Sequence, residues 1–445
     1  MDNVMLARTL FGSSMAFHII FATLGVGITF MILLAEIMRI VRKDSDYGTL
    51  AKRWTKGVAI LLGVAIPSGT IVAVMLSLLW PGFMEIVGQV IALPFQIEIF
   101  AFFLEALFLS IYVYAADRLS STMRIVSVFF VALGATASAV LITDAHAWMN
   151  TPRGFSIVNG EVTNVDPLAA VFSPSIVVTA FHVVGSAYLT GAFVLAAVAA
   201  YKLLRGNLSK RETAYHRKGM MLSLAVALVM SIFTALNGHE TAVMLHEYIP
   251  VKLAAAEGLF ETQSNAPLSI FGTPNPEAGR VIGGIEIPGM LSWIATGSTD
   301  GVIQGLNDFP RNDWPPLFVH TLFNVMVGIG MILLGIAGIA WLFWFIQRKK
   351  QQSFPKWLLA GIAISGPLAI IGIETGWIFS CTGRQPWTIH GIQRTSEAAT
   401  NSGHLGMLFI LFIGLYIILL VITALVMYFY FNRNPVSNDL GIAAD

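Results

Sequence analysis

Two carboxylates stand inside an apolar run, PFQIEIFAFFLEALFLS at 94–110, whose other polar side chains are Gln96 and Ser110. Glu98 and Glu105 are seven residues apart, about two helical turns, so a helix presents both from one face. A carboxylate in lipid is costly. It marks a proton path, an ion path or a cofactor, or else is satisfied by a hydroxyl on a neighbouring helix. Three more side chains stand out against apolar surroundings: His18 in FGSSMAFHIIFATLGVGITF, His182 in FHVVGSAYLTGAF and Met326 in HTLFNVMVGIG. Imidazole and thioether are a known axial pair for haem iron, and both are also ordinary packing residues. Gly185, Ser186 and Gly191 after His182 leave room for a macrocycle or for close helix packing. In ETGWIFSCTGRQPW at 374–387, Glu374 and Cys381 share a helical face. Arg384, in the turn that follows, either anchors it at an interface or clamps a carboxylate through its planar fork.

The elements that must position these residues are membrane helices. Of 445 residues, 56% are hydrophobic and 11% charged, and the mean hydropathy is +0.75. Soluble domains carry about 25% charge, so the fold class is an all-α polytopic membrane bundle. A net charge of +1 gives no support for nucleic-acid binding. The single cysteine, Cys381, excludes an intramolecular disulfide, and no zinc spacing is present. The N-terminus lacks a cleavage site and reads as the run-in to a retained first helix. Apolar segments predict nine spans, at 13–38, 57–79, 94–115, 125–145, 178–201, 220–238, 317–346, 357–379 and 403–431. Pro67 and Pro367 fall inside two of them and predict local kinks.

Placing the N-terminus outside puts nineteen of the twenty-six Lys and Arg at the inner connections and tail. Four of these fall at 347–356. The positive-inside rule therefore predicts an external N-terminus and a cytoplasmic C-terminus. The chain then forms one membrane domain, with a long external loop at 239–316 between the sixth and seventh helices. That loop carries one helical piece, PVKLAAAEGLF, holding Lys252 and Glu257. Five residues apart, these two can line one pocket without touching.

Taken together, these residues resemble the large subunit of the cytochrome bd-type quinol oxidases. The matching motifs are FHIIFATLGVG, IEIFAFFLEALF, AWMNTP, FHVVGSAYLTGAF, KLAAAEG, the Met326 helix and GRQPW, and the likeness spans nearly the whole chain. The resemblance implies His182 and Met326 as axial ligands of a low-spin haem b. It implies His18 as a ligand of one of two clustered high-spin haems, one b-type, the other d-type or a second b-type. Glu98 and Glu105 match the acids beside that cluster, Trp377 a tryptophan beside the haems, and Arg384 a propionate partner. Lys252 and Glu257 match the quinol-oxidising residues of a short external loop, and Ser138 a proton-channel serine. The resemblance further implies a second membrane subunit, with small accessory subunits as a further option, and a bacterial plasma-membrane location. The substrates it implies are membrane quinol and O2, reduced to water with charge separation.

Three positions depart from that pattern. Cys381 stands where the family has a haem-ligating glutamate, Asn324 where it often has arginine, and His146 where asparagine is commoner. At Cys381 three outcomes are open: a thiolate ligand, a neutral thiol with ligation passing to Glu374 or water, or a b-type macrocycle at that site. Two rival functions remain at this point. One is a proton-coupled transporter carrying protons on Glu98, Glu105 and Glu374, for which no inverted repeat is visible. The other is a haem electron-transfer module that never meets O2.

Overall fold

The structure, a computed structural model, describes residues 3–115, 118–347, 354–400 and 402–442. Arg348, Lys349 and Lys350, counted above with the inner cations, lie outside the described residues.

Among the described residues, nine helices are long and apolar enough to cross a membrane. They are α1 (Asn3–Arg42), α2 (Ser45–Leu79), α4 (Ala92–Ala115), α5 (Ser121–Asn150), α7 (Ile176–Arg205), α8 (Lys210–Tyr248), α11 (Val319–Gln347), α12 (Lys356–Thr382) and α14 (Leu405–Arg433). Shorter helices α3 (Pro81–Val90), α6 (Pro167–Val171), α9 (Pro250–Glu257), α10 (Met290–Thr296) and α13 (Thr395–Ala398) fill the connections. All nine sequence-predicted spans are present; seven helices outrun their apolar segments, whereas α11 and α14 begin two residues later than theirs. The sixth differs most: α8 continues through Tyr248, because HETAVMLHEY has helical propensity although its polarity ends the hydropathy signal. The long connection therefore begins at Ile249. Pro67 and Pro367 lie within continuous helical runs in α2 and α12.

The helix ends flanking the four shortest connections lie at one end of the bundle. The other end carries the N-terminus of α1 and the long connections, and is called the loop end below. Local chemistry sets these boundaries. Asp44 caps α2, Ser120 caps α5, and Ser209 with Glu212 forms a capping box on α8. At the loop end the chain folds into two-stranded hairpins and ribbons. β1 (Ser156–Val158) pairs with β2 (Glu161–Thr163). β3 (Leu268–Ile270) pairs with β6 (Ile285–Ile287), enclosing the hairpin of β4 (Thr273–Asn275) and β5 (Arg280–Ile282). β7 (Trp387–Ile389) pairs with β8 (Gln393–Arg394).

The bundle divides into two helix groups joined at a close crossing. In one, α7 packs on α8 and α12, and α11 packs on the same two helices, so α7 and α11 occupy opposite corners. Met31, Phe193, Met220, Leu224, Leu333 and Ile362 fill its buried core. In the other, α1 packs on α2 and α5, and α4 lies on α5. The groups meet where α1 crosses α7. A Cβ built on Gly191 lies 2.6 Å from the carbonyl carbon of Gly27, so only glycine permits that approach.

Away from the loop end, buried charge fixes the register. Glu36, fully buried, accepts Arg39 Nε at 2.8 Å, Arg124 Nη2 at 2.6 Å and the Tyr112 hydroxyl, tying α1 to α4 and α5. Asp46 accepts Arg211 Nη1 at 2.7 Å and Lys218 Nζ at 2.6 Å, tying α2 to α8. Removing one member of a buried pair strands the other, typically at 3–5 kcal/mol. Arg39 and Arg124 keep 21% and 19% of their side chains exposed and recover some hydration. Glu36→Ala is therefore expected to cost about 3 kcal/mol, read as a lowered unfolding midpoint of the purified protein in detergent. An unchanged midpoint would mean that the two arginines rehydrate at no cost.

Candidate haem and quinol sites

His182 sits on α7 near the loop end. Its Nδ1 lies 2.9 Å from Asn237 Oδ1 on α8, and Asn237 Nδ2 donates to Val178 O at 3.2 Å. That second bond fixes the amide with its oxygen toward the imidazole, so Nδ1 carries the proton and Nε2 keeps a lone pair. Met326 comes from α11, the opposite corner of the same helix group. Its sulfur lies 2.9 Å from the position a Cβ on Gly376 would take, so the glycine before Trp377 is what makes room for the thioether. A neutral imidazole nitrogen and a thioether thus face inward from opposite corners.

His18 repeats the arrangement on α1. Its Nδ1 lies 3.0 Å from Ser68 Oγ, and Ser68 Oγ donates to Ala65 O at 3.0 Å. The hydroxyl proton is thereby committed, the imidazole Nδ1 donates, and Nε2 is again free. A Cβ on Gly69 would lie 2.9 Å from His18 Cε1. Glu98 and Glu105 both turn toward α5, as their spacing requires. Ser138 Oγ donates to Glu98 Oε1 at 2.6 Å, and Glu105 is buried at 7% exposure. The opposite face of α4 exposes Ile99, Phe100 and Phe103.

At the loop end of α12 the polar residues converge. Lys252 on α9 donates to Ser380 O at 3.0 Å and to Asn150 Oδ1 at 3.4 Å. His146 Nε2 lies 2.8 Å from Ser380 Oγ, and the His146 ring meets Trp377 edge-on at 5.6 Å. Arg384 is 6% exposed, and its Nε and Nη1 have no protein partner. Burial brings its guanidinium down to about 10, still cationic at neutral pH. Burial first, and then the charge of Arg384, bring the Lys252 ammonium down to about 7. Cys381 is a half-buried free thiol in this neighbourhood, and Glu374 Oε1 on the same helix is buried without a partner. Two buried basic side chains lie side by side, Lys252 hydrogen-bonded to neutral groups and Arg384 with two nitrogens unpartnered, and so make a site for carboxylates.

Glu257 does not join them. It lies 140° further round α9 by helical geometry, against β3, with a backbone hydrogen bond from Ser269 and Oε2 unpartnered. Burial pushes its carboxyl up to about 8. Lys252 and Glu257 therefore occupy different sides of one short buried helix, which itself packs on α8 and α11. Asn150, His390 and Asp144 were not singled out by sequence reasoning. The first holds Lys252. His390 leaves Nδ1, and Asp144 both carboxyl oxygens, buried and unpartnered. The histidine count and the acid in an apolar helix were the available signals.

Residues 6–435 match the family described as Cytochrome bd terminal oxidase subunit I. The chain belongs to that family. It is 56% identical over its full length, and over the full length of the relative, to a protein named putative cytochrome bd menaquinol oxidase subunit I in Bacillus subtilis. It is 30% identical to another B. subtilis protein, cytochrome bd ubiquinol oxidase subunit 1, covering 97% of this chain and 94% of that one. The fold matches the structure of bd oxidase from Geobacillus thermodenitrificans with a TM-score of 0.92 at 43% identity, over 98% and 99% of the two chains.

The bd-family assignment implies haem, and the residues fit it. Two imidazoles keep a free Nε2, a glycine opens the space before a thioether, and an orphaned buried guanidinium awaits anions. His182→Ala or Met326→Leu is expected to abolish the low-spin α-band together with quinol oxidation. Visible spectra of the purified complex check this, and a normal low-spin spectrum in both variants would refute the ligand pair.

Proposed function

We propose that this chain is the haem-bearing subunit of a bd-type terminal quinol oxidase, working in the bacterial plasma membrane with a second membrane subunit. The observation that carries the detailed reading is the stacking of one site on another. The buried helix with Lys252 and Glu257 packs on α8 and α11, the helices that supply His182's partner Asn237 and Met326. Electrons taken from a quinol at α9 therefore start beside that ligand pair. Bound haem supplies one-electron transfer and an iron with an open position for O2.

The chain's own residues do the rest. His182 and Met326 hold the low-spin b haem, and His18 holds a high-spin haem in the other helix group. Trp377 flanks the haems, and Arg384 neutralises propionates with its free Nε and Nη1. Above pH about 7, Lys252 Nζ is a neutral amine able to accept a proton from a quinol hydroxyl. Glu257 Oε2 becomes a base only above pH about 8. Glu98 and Glu105, on the α4 face turned to α5, carry protons toward O2, with Ser138 Oγ as hydrogen-bond donor to the first. The loop end faces outward, so quinol protons leave outside while those consumed at O2 come from the cytoplasm. That separation charges the membrane without a pump. The relatives reported above favour this over a transporter.

Glu257→Ala is expected to lower quinol turnover by roughly 10²-fold, the low end for a positioned acid–base group, with haem content intact and an artificial one-electron donor less affected. Equal loss with both donors would point to a folding role. Wild-type turnover should rise with pH from 6 to 8 as Lys252 loses its proton, and Lys252→Arg should flatten that limb. Glu105→Gln keeps shape and hydrogen bonds but carries no proton. It is expected to slow O2 consumption about tenfold or more, and wild-type turnover would refute the proton role.

A further inference from the structure

The ribbon that walls Glu257 has two unlike faces. In the β3–β6 pairing Leu268 stands opposite Ile287, Ser269 opposite Glu286 and Ile270 opposite Ile285. Residues directly opposite share a face, and so do alternate residues of one strand. One face is therefore Leu268, Ile270, Ile285 and Ile287, without a polar side chain. The other carries Glu286 and the buried Ser269, whose N–H bonds Glu257. On the apolar face Ile285 is 66% exposed and Ile287 37%. Phe271 and Ile282, in the adjoining turn and hairpin, are exposed as well. Clustered apolar side chains of this size mark a surface covered by a partner or a membrane.

Phe271 fixes the height of this face. Its ring tip lies 3.6 Å from a Cβ built on Gly328 of α11, and its N–H donates to Asn324 Oδ1 at 2.8 Å. Gly328 stands 19 residues before Gln347, the last described residue of α11, and Arg348, Lys349 and Lys350 follow in sequence. That length of helix rises about 28 Å, against roughly 30 Å of hydrocarbon. With the basic cluster at one head-group layer, Gly328 stands at the opposite edge of the hydrocarbon, and Phe271 with it. Beside Gly328, Val327, Met331 and Ile332 are exposed. The apolar face of the ribbon thus continues the uncovered face of α11.

We propose that the β3–β6 ribbon is a lipid-binding surface. Leu268, Ile270, Ile285 and Ile287 seat in the interfacial layer of the leaflet at the loop end, against phospholipid acyl chains near their ester groups. The depth is bounded on both sides. Placed higher, the apolar face would stand in water. Placed lower, Glu286 and the unpaired outer backbone groups of the two strands would enter hydrocarbon without partners. A protein partner would bring about one hydrogen bond per 100–200 Å², and this face has no side chain to receive it. The broadest uncovered helix faces, on α4 and α14, lie in the group of α1 and α2. With lipid on one side and Glu257 on the other, the ribbon is the partition between them. This assignment does not depend on the quinol reading of α9.

Photolabelling of the wild-type assembled oxidase tests it. The vesicles are phosphatidylglycerol and phosphatidylcholine, doped with a phosphatidylcholine carrying a diazirine near the ester end of one acyl chain. Peptides spanning 268–271 and 282–287 should take up label to within a few-fold of the peptide spanning 327–332. A diazirine at the chain terminus should label them several-fold less. No label on the ribbon, or equal label from the chain terminus, would overturn the proposal. Ile285→Cys and Glu286→Cys, in the same vesicles, distinguish the reasons. A water-soluble maleimide should react several-fold faster with the Glu286→Cys variant, because a thiol among acyl chains keeps its proton. Equal, fast reaction would place the ribbon in water. Slow reaction of Ile285→Cys without lipid label would mean that protein covers the face. Either result overturns the assignment, and if the variants do not assemble, labelling of the wild type decides alone.

Discussion

A polar atom buried among apolar helices must find a partner or destabilise the fold, and this constraint organises the molecule. Most such atoms here are satisfied within the chain. Glu36 collects two arginines and a tyrosine, and Asp46 collects an arginine and a lysine. Several of those left without a protein partner cluster around the helix groups that carry the ligand residues and the loop over them. They include two nitrogens of Arg384, one oxygen of Glu374 and one of Glu257. Their position, rather than their number, is what separates cost from use. Arg384 sits beside Lys252, so its orphaned nitrogens mark a place where negative charge is to be received.

The same constraint explains the pairing of ligands with neighbours. Both candidate axial histidines lie on long helices, and each has Nδ1 occupied by a side chain whose own hydrogen bond leaves it only an accepting role. Asn237 is committed through Val178, and Ser68 through Ala65. The neighbour thus decides the tautomer, and the tautomer decides which nitrogen faces the cavity. Met326 needs no such help but needs space, and the glycine at 376 provides it.

Loop and bundle are parts of one device. The α9 helix is buried over seven of its eight residues and rests on the same helices that frame the His182–Met326 pair. A connection as long as 249–318 would usually be free to move. Here a histidine, an asparagine and a run of apolar side chains, among them Leu253, Phe260, Leu291 and Leu306, fasten it down.

Composition and hydropathy by themselves determined the class, the nine spans and the acidic stripe on α4, because lipid forces long apolar helices and a seven-residue spacing fixes a shared face. The motifs around His18, His182, Met326 and GRQPW were legible as a family, and with them most of the candidate site. What the sequence could not decide depended on contacts between distant segments. The end of α8 was misplaced because polarity stops the hydropathy signal ten residues before the helix stops. Lys252 and Glu257 read as neighbours in one pocket, yet α9 is buried all round and turns them to different walls. His320 carried no signal beyond its presence near a helix start. Its contacts arise only where α9, the β3–β4 turn and α11 meet, since the two carbonyls it faces lie 64 and 49 residues away along the chain.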